Sequence, residues 1–372
     1  MTNLRYKLGL LRGLLGGDIA RVGPAWVTLD LTRRCNYVCL GCFFHCVQPR
    51  RPSPGDHQIT DLPLPLVEKL VADLVRIGTP EVLLSAEGEP LLHPRFFDIV
   101  DCFRRARITL RVFTNGSLID EPMARQIVGC GLDTLNVTFW AVNRAEHAEW
   151  HPGVNPEYLD RRKRGVKLLA QIRRESQRNA PGVNLQMPLN RLSFTNIGER
   201  VDLAIESGCD SVTFAFFRDW GGQFESHCLL PKDGVAMRQE LLSAKRCLEA
   251  GGIKHNVDQY LARVELGADA WRKVPCYASW FQSYVKVDGT VMPCCPCSQM
   301  MGNLRERSFS EIWNGAEYRE FRRRSVDPPG LEALQQSCNC ANCCLLQDSV
   351  RVHRVFRWLS PVARRAYAGG QA

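Results

Sequence analysis

The sequence predicts an α/β fold: a partial (β/α)6 TIM-like barrel followed by a small Cys-rich α+β domain. Three observations predict it. Short apolar strands alternate with helical periodicity from residue 25 to about 225. The residues able to do chemistry fall just after those strands, where such folds place their sites. Twelve of the seventeen cysteines gather in three short stretches, 35–46, 276–297 and 338–344.

The elements follow in order. Strands are expected at 27–32, 81–85, 108–113, 134–140, 183–189 and 211–217, and helices at 64–77, 96–105, 121–128, 159–176 and 197–207. Six strands with intervening helices imply parallel βαβ units. Residues 226–275 read as a helical connector. Residues 276–346 form the Cys-rich domain, with short strands around 285–292 and a helix around 310–322. The ends, 1–24 and 347–372, read as basic amphipathic segments.

Composition narrows the function classes. The chain has 372 residues, 45% hydrophobic and 23% charged, enough apolar residue for a large core. No apolar run approaches a membrane span, and the start lacks the pattern of a signal peptide, so the expected location is cytoplasmic. There, clustered cysteines point to metal binding or catalysis rather than a disulfide framework. The net charge of +9 sits mostly at the two ends. Residues 350–372 carry five arginines and no acid, and the interior is nearly neutral. That distribution argues against a nucleic-acid face. Leu4, Leu8, Leu11, Leu15 and Ile19 share one stripe, and Val352, Phe356 and Leu359 another. Such helices either pack on the barrel or a second subunit, or lie on an anionic membrane.

Four motifs carry the chemistry. In Cys35-Asn-Tyr-Val-Cys39-Leu-Gly-Cys42, three thiolates of one loop can bind three irons of a cubane and leave the fourth open. A zinc knuckle is the alternative, with His45 or Cys46 as fourth ligand. After the next strand comes Glu87-Gly88-Glu89-Pro90, whose glycine permits close backbone approach to a ligand. Thr114-Asn115-Gly116 follows the third strand. Alone, each of these two turns reads equally as an ordinary strand–helix connection. The fourth motif is Cys276, Gly289 and Cys294, then Gly302-Asn303-Leu304-Arg305 and the run Cys338, Cys340, Cys343, Cys344.

Taken together, the first three motifs resemble the radical S-adenosylmethionine (SAM) superfamily, over roughly residues 25–220. The resemblance implies that Cys35, Cys39 and Cys42 ligate a [4Fe–4S] cluster whose open iron chelates SAM. It implies that Glu87, Gly88, Glu89 and Pro90 meet the methionine amino group, and that Asn115 and Thr138 meet ribose or carboxylate. Many members carry an aromatic residue just before the last cysteine, beside the adenine. This chain has Gly41 there, with Phe43 as a substitute. The fourth motif resembles the SPASM/twitch extension in its shorter, BtrN-like form with a single auxiliary [4Fe–4S] cluster. The implied ligands are Cys276, Cys294, Cys340 and Cys343. Cys295, Cys297, Cys338 and Cys344 are left as spare thiols.

The resemblance also implies the activity. Reduction of SAM-bound cluster, by a flavodoxin or ferredoxin, yields a 5′-deoxyadenosyl radical that takes hydrogen from a substrate. The auxiliary cluster handles an electron, giving oxidation or epimerisation. For epimerisation the hydrogen donor would be a free cysteine such as Cys209 or Cys46. The cluster loop begins at residue 35, leaving little room for the N-terminal recognition domain common among peptide modifiers. The expected substrate is therefore small and polar: a sugar, aminocyclitol or sugar conjugate. The stretch from Phe139 to Gly153, rich in Trp, His and Glu, either lines a carbohydrate pocket or packs over the barrel. A peptide maturase and a plain iron–sulfur electron carrier are the competing readings.

Overall fold

The computed structural model describes residues 4–42, 44, 60–85, 87–217, 219, 224–229, 233–266, 271–272, 274–340 and 343–359. Phe43, His45 and Cys46 lie outside the described residues, as do the side chains of Phe356 and Leu359.

Seven strands run parallel in chain order: β1 Trp26–Asp30, β2 Glu81–Ser85, β3 Thr109–Thr114, β4 Thr134–Thr138, β5 Gly182–Leu189, β6 Ser211–Phe216 and the two-residue β7 Lys254–His255. Three helices lie where periodicity expects them, at Leu64–Ile77, Phe96–Arg105 and Ile197–Ser207. The first and third end on left-handed glycines, Gly78 (φ 77°) and Gly208 (φ 66°). Without a Cβ to clash, glycine adopts this turn freely and stops the helix.

The Cys-rich part does not stand apart from the barrel. Strand β8 Gln282–Val285 pairs parallel with β1, aligning Thr28 with Tyr284. Strands β9 Thr290–Met292 and β10 Gly302–Asn303 continue antiparallel, giving one ten-stranded sheet, β10-β9-β8-β1-β2-β3-β4-β5-β6-β7. The β8–β9 turn needs Gly289, which sits at φ 87°. The single helix expected at 310–322 is two, Phe309–Trp313 and Ala316–Val326. They part because the Asn314 side chain leaves to bond Ala20 N–H and C=O, each at 3.0 Å.

Strand alternation sorts the two faces of the sheet. Val27, Leu29, Val82, Leu84, Leu110, Val112, Leu135, Val137, Leu185 and Phe214 point under the helices and are almost wholly buried. Each such side chain contributes about 1.5–3 kcal/mol by leaving water. The opposite, concave face carries Asp30, Asn136, Asn184, Gln186, Thr213 and Tyr284. Asn184 joins its neighbours there: its amide donates to Asn136 (3.0 Å), and its carbonyl accepts from Ser211 (2.8 Å) and Thr213 (3.1 Å).

The basic N-terminal segment is helical at Leu4–Leu15 and packs on the chain itself. Leu10, Leu11 and Leu14 meet the core, Tyr6 donates to Gly23 C=O (2.9 Å), and Leu4, Leu8 and Leu15 stay exposed. The expected stripe is thus split between the two faces. Arg322, buried in Ala316–Val326, anchors this region through bonds to Asp18 C=O (3.0 Å), Ser279 C=O (2.9 Å) and Trp313 C=O (2.8 Å). A C-terminal helix spans Leu346–Leu359, where Val352 packs against the core. Among the described residues, no helix is long and apolar enough to cross a membrane.

Candidate active site

The loop leaving β1 carries Cys35, Cys39 and Cys42. It is folded back by Cys42 N–H to Cys39 C=O (3.0 Å), and braced by Leu40 N–H to Trp150 C=O (3.0 Å). Cys35 lies within the field of Cys42 and Glu89, and burial pushes its thiol up to about 11.

The turn after β2 meets this loop backbone to backbone. Glu89 N–H donates to Arg34 C=O (2.7 Å), and a Cβ on Gly88 would lie 2.1 Å from that same oxygen. Pro90 opens a single 3-10 turn, capped by the Glu89 side chain at Leu91 N–H (3.2 Å). Glu89 is 2% exposed. Its carboxylate also accepts Thr114 O–H (2.6 Å) and Asn115 N–H (2.7 Å). Burial raises its pKa against those donors. Glu87 turns the other way, accepting from Arg33 Nε (2.7 Å) with Lys286 3.7 Å off.

Asn115 belongs to the same constellation. Its amide donates to Asn36 in the cysteine loop (3.0 Å). Thr138 ends β4, and its carbonyl accepts from Arg162. Arg162 also donates to Asn115 C=O (2.6 Å), and its guanidinium lies 4.5 Å from the Phe139 ring. Sequence reasoning missed Arg162. It sits in the run Arg161-Arg162-Lys163-Arg164, where one buried arginine cannot be told from its solvated neighbours. The structure therefore brings Cys35, Gly88, Glu89, Asn115 and Thr138 to one end of β1–β4.

Beside Gly41 stand Trp140 and Phe217: a Cβ at 41 would lie 2.6 Å from the first and 3.0 Å from the second. These rings fill the space assigned to an aromatic residue of the cysteine loop. The stretch from Phe139 to Gly153 is packing rather than an open pocket. Phe139, His147, Trp150 and His151 are buried, and Trp140 stacks near Trp150 at 5.3 Å. Cys209 precedes β6, at the far end of the barrel from the cysteine loop, and bonds Ala204 C=O. That position removes it as a hydrogen donor to a substrate at the site.

The second expected cysteine set, Cys276, Cys294, Cys340 and Cys343, lies in one neighbourhood, although among the described residues no three His, Cys, Asp or Glu are grouped so as to hold a metal ion. Cys294 lies in the field of Cys343, Cys276, Cys344 and Cys340, and burial raises the thiols of Cys276, Cys294, Cys340 and Cys343. Cys343 N–H bonds Cys340 C=O (3.1 Å), making a tight Cys-x-x-Cys turn. Four thiols, one buried and three half-buried, are a donor set that suits a cationic iron–sulfur core. The remaining four are not scattered. Cys297 and Cys338 form a disulfide, and the sulfurs of Cys295 and Cys344 are 3.4 Å apart. The two strips carrying them are joined by Ser298 N–H to Ser337 C=O (2.7 Å) and Asn339 N–H to Pro296 C=O (3.0 Å).

Known families match both halves of this arrangement. The family model of the Radical SAM superfamily matches residues 29–184, and that of SPASM, an iron–sulfur cluster-binding domain, matches residues 276–344. The chain carries a radical SAM domain and a SPASM domain. Its cofactors are accordingly SAM, the [4Fe–4S] cluster that binds it, and auxiliary iron–sulfur. The chain is similar to the "PqqA peptide cyclase" of Gluconobacter oxydans, 27% identical over 300 residues covering 78% of this chain and 76% of that protein. It is also similar to the "AdoMet-dependent heme synthase" of Methanosarcina barkeri, 25% identical over 342 residues covering 86% of this chain and 91% of that protein. The structure of Streptococcus suis SuiB bound to S-adenosylmethionine superposes with a TM-score of 0.63 at 16% identity, covering 87% of this chain and 71% of that chain, which establishes the shared fold. BtrN superposes with a TM-score of only 0.47, which lends no support to a specifically BtrN-like form.

Proposed function

We propose that this radical SAM enzyme takes hydrogen from a polar substrate in the concave face of the sheet and oxidises it. In this reading Cys35, Cys39 and Cys42 hold the SAM-binding cluster, and Cys276, Cys294, Cys340 and Cys343 hold an auxiliary [4Fe–4S] cluster. One observation carries it: β8, which lies between Cys276 and Cys294 in the chain, pairs with β1, the strand that leads into Cys35. The bound groups supply a 5′-deoxyadenosyl radical on one side and an electron acceptor on the other. The chain's own residues do the rest. Glu89 fixes the ends of β2 and β3, and Asn115 ties them to the cysteine loop. Arg162 joins the ends of β3 and β4, and Trp140 and Phe217 keep water from the loop. The working parts would be the barrel at 25–225 and the auxiliary domain at 276–346, joined by the connector at 226–275.

Two substrate classes fit. The hydrogen-bonding concave face supports a small polar molecule. A peptide is favoured by the relatives, since one is named for cyclising the peptide PqqA. The reaction-level reading predicts about eight irons per chain, from two four-iron clusters. It also predicts 5′-deoxyadenosine from SAM and dithionite, lost in Cys39→Ala. Zinc without iron, or product persisting in that variant, would refute it.

A further inference from the structure

The concave face carries a buried carboxylate that the SAM site does not use. Asp30, the last residue of β1, is fully buried. One oxygen accepts the Tyr284 hydroxyl from β8, and the other, Oδ1, has no partner. Two residues back along β8 from Tyr284, Gln282 is 2% exposed and its Oε1 also lacks a partner. Their faces are not in doubt. Val27 and Leu29 alternate with Asp30 into the helix-covered core, and Ser283 bonds Tyr318 on the helical side at 2.8 Å. Asp30, Gln282 and Tyr284 therefore share the inner wall where β1 meets β8.

An unpartnered acceptor in a buried wall is costly unless a donor fills it. The cations nearby are engaged elsewhere. Arg33 pairs with Glu87 (2.7 Å) and lies 3.8 Å from Asp288, and Lys286 faces Glu87 at 3.7 Å. Both cations also act on Asp30 through space, but the hydrogen bond shown to its carboxyl is that of Tyr284.

We propose that Asp30, supported by Tyr284, binds a protonated amine of the substrate, and so selects substrates bearing a cationic nitrogen. This rests on the concave face being the substrate site. It deepens the functional reading, since an amino sugar, an aminocyclitol and a basic peptide side chain all carry such a group. Burial pushes the Asp30 carboxyl up to about 8, with Glu87 adding to the rise and Tyr284, Lys286 and Arg33 opposing it. The acid is therefore mostly protonated at neutral pH. An arriving ammonium would make it ionise and release one proton.

The test uses the cluster-loaded protein with SAM, n-butylammonium as probe and n-butanol as its neutral control. Infrared difference spectra isolate the Asp30 carboxylic-acid band as the one missing in Asp30→Asn. The expected result is loss of that band with n-butylammonium and not with n-butanol. Calorimetry in two buffers should show release of one proton per probe bound, and at least tenfold weaker probe binding in Asp30→Asn, with weaker binding in Tyr284→Phe as well. If Asp30→Asn fails to load iron, Tyr284→Phe alone decides the affinity arm. A band unmoved by the probe, or equal affinity in the folded variants, overturns the proposal. Iron content and SAM cleavage of the unmodified protein judge the radical reading separately.

Discussion

Gly88 lies directly against the carbonyl of Arg34: a side-chain carbon there would sit 2.1 Å from the oxygen and 2.6 Å from its carbon. Both obstructing atoms are backbone, so no flexible side chain can give way. Gly88→Ala must push the turn after β2 off the cysteine loop, breaking the Glu89 N–H to Arg34 C=O bond. The expected cost is about 1–3 kcal/mol of overpacking strain. SAM affinity measured by equilibrium dialysis should fall at least tenfold, with helical circular dichroism unchanged. Undiminished affinity would show that the two backbones need not touch.

Arg162 acts through the shape of its fork as well as its charge. Two of its nitrogens hold the carbonyls of Asn115 and Thr138 on different strands, while the ring of Phe139 lies beneath. A lysine ammonium cannot span both carbonyls from one planar group. Arg162→Lys should therefore lose nearly as much stability as Arg162→Ala, about 1.5–3 kcal/mol for hydrogen bonds from a charged donor. Urea midpoints of the two variants check this; full rescue by lysine would reduce Arg162 to a point charge.

The eight cysteines of the SPASM region divide into two functional groups in this reading. Cys343→Ser should lower iron by about four per chain, because Cys343 belongs to the auxiliary quartet. Cys295→Ser and Cys338→Ser should leave iron at about eight, because the structure pairs those residues with Cys344 and Cys297. Iron and sulfide analysis of anaerobically reconstituted protein distinguishes the groups. Loss of four irons from Cys295→Ser, out of about twelve, would instead give these cysteines a cluster of their own.

The parts of this protein legible in its sequence are those set by local rules. Helices ending at Gly78 and Gly208 have a backbone reason to stop there, and the cysteine spacings fix which thiols share a loop. What was not legible depends on partners far along the chain. Asn314 breaks a helix to reach Ala20, and Arg322 is buried because Asp18, Ser279 and Trp313 offer it carbonyls. The seven-residue helix Arg144–Trp150 is too short for a periodic signal. It is fixed by its Asn143 cap and by the ion pair of Glu146 with the buried Arg200 (2.9 Å). Asp30 reads as an interior residue of the strand expected at 27–32, and its surroundings depend on β8, which supplies Tyr284 from 254 residues away.

That same carboxyl makes stability depend on pH in a definite direction. Burial lifts the Asp30 carboxyl from its ordinary 3.8 to about 8 in the folded chain. Between those values the folded chain keeps a proton that the unfolded chain has released. Unfolding then releases protons, so stability falls as pH rises through that window. The contribution is fully present below about pH 4 and gone above about pH 8. Asp30→Asn carries no titrating group and should flatten this part of the profile, becoming relatively more stable towards pH 8. Urea midpoints measured anaerobically from pH 5 to 9 provide the check. Parallel profiles for the two proteins would mean that Asp30 is ionised in the folded state throughout, with a cation already beside it.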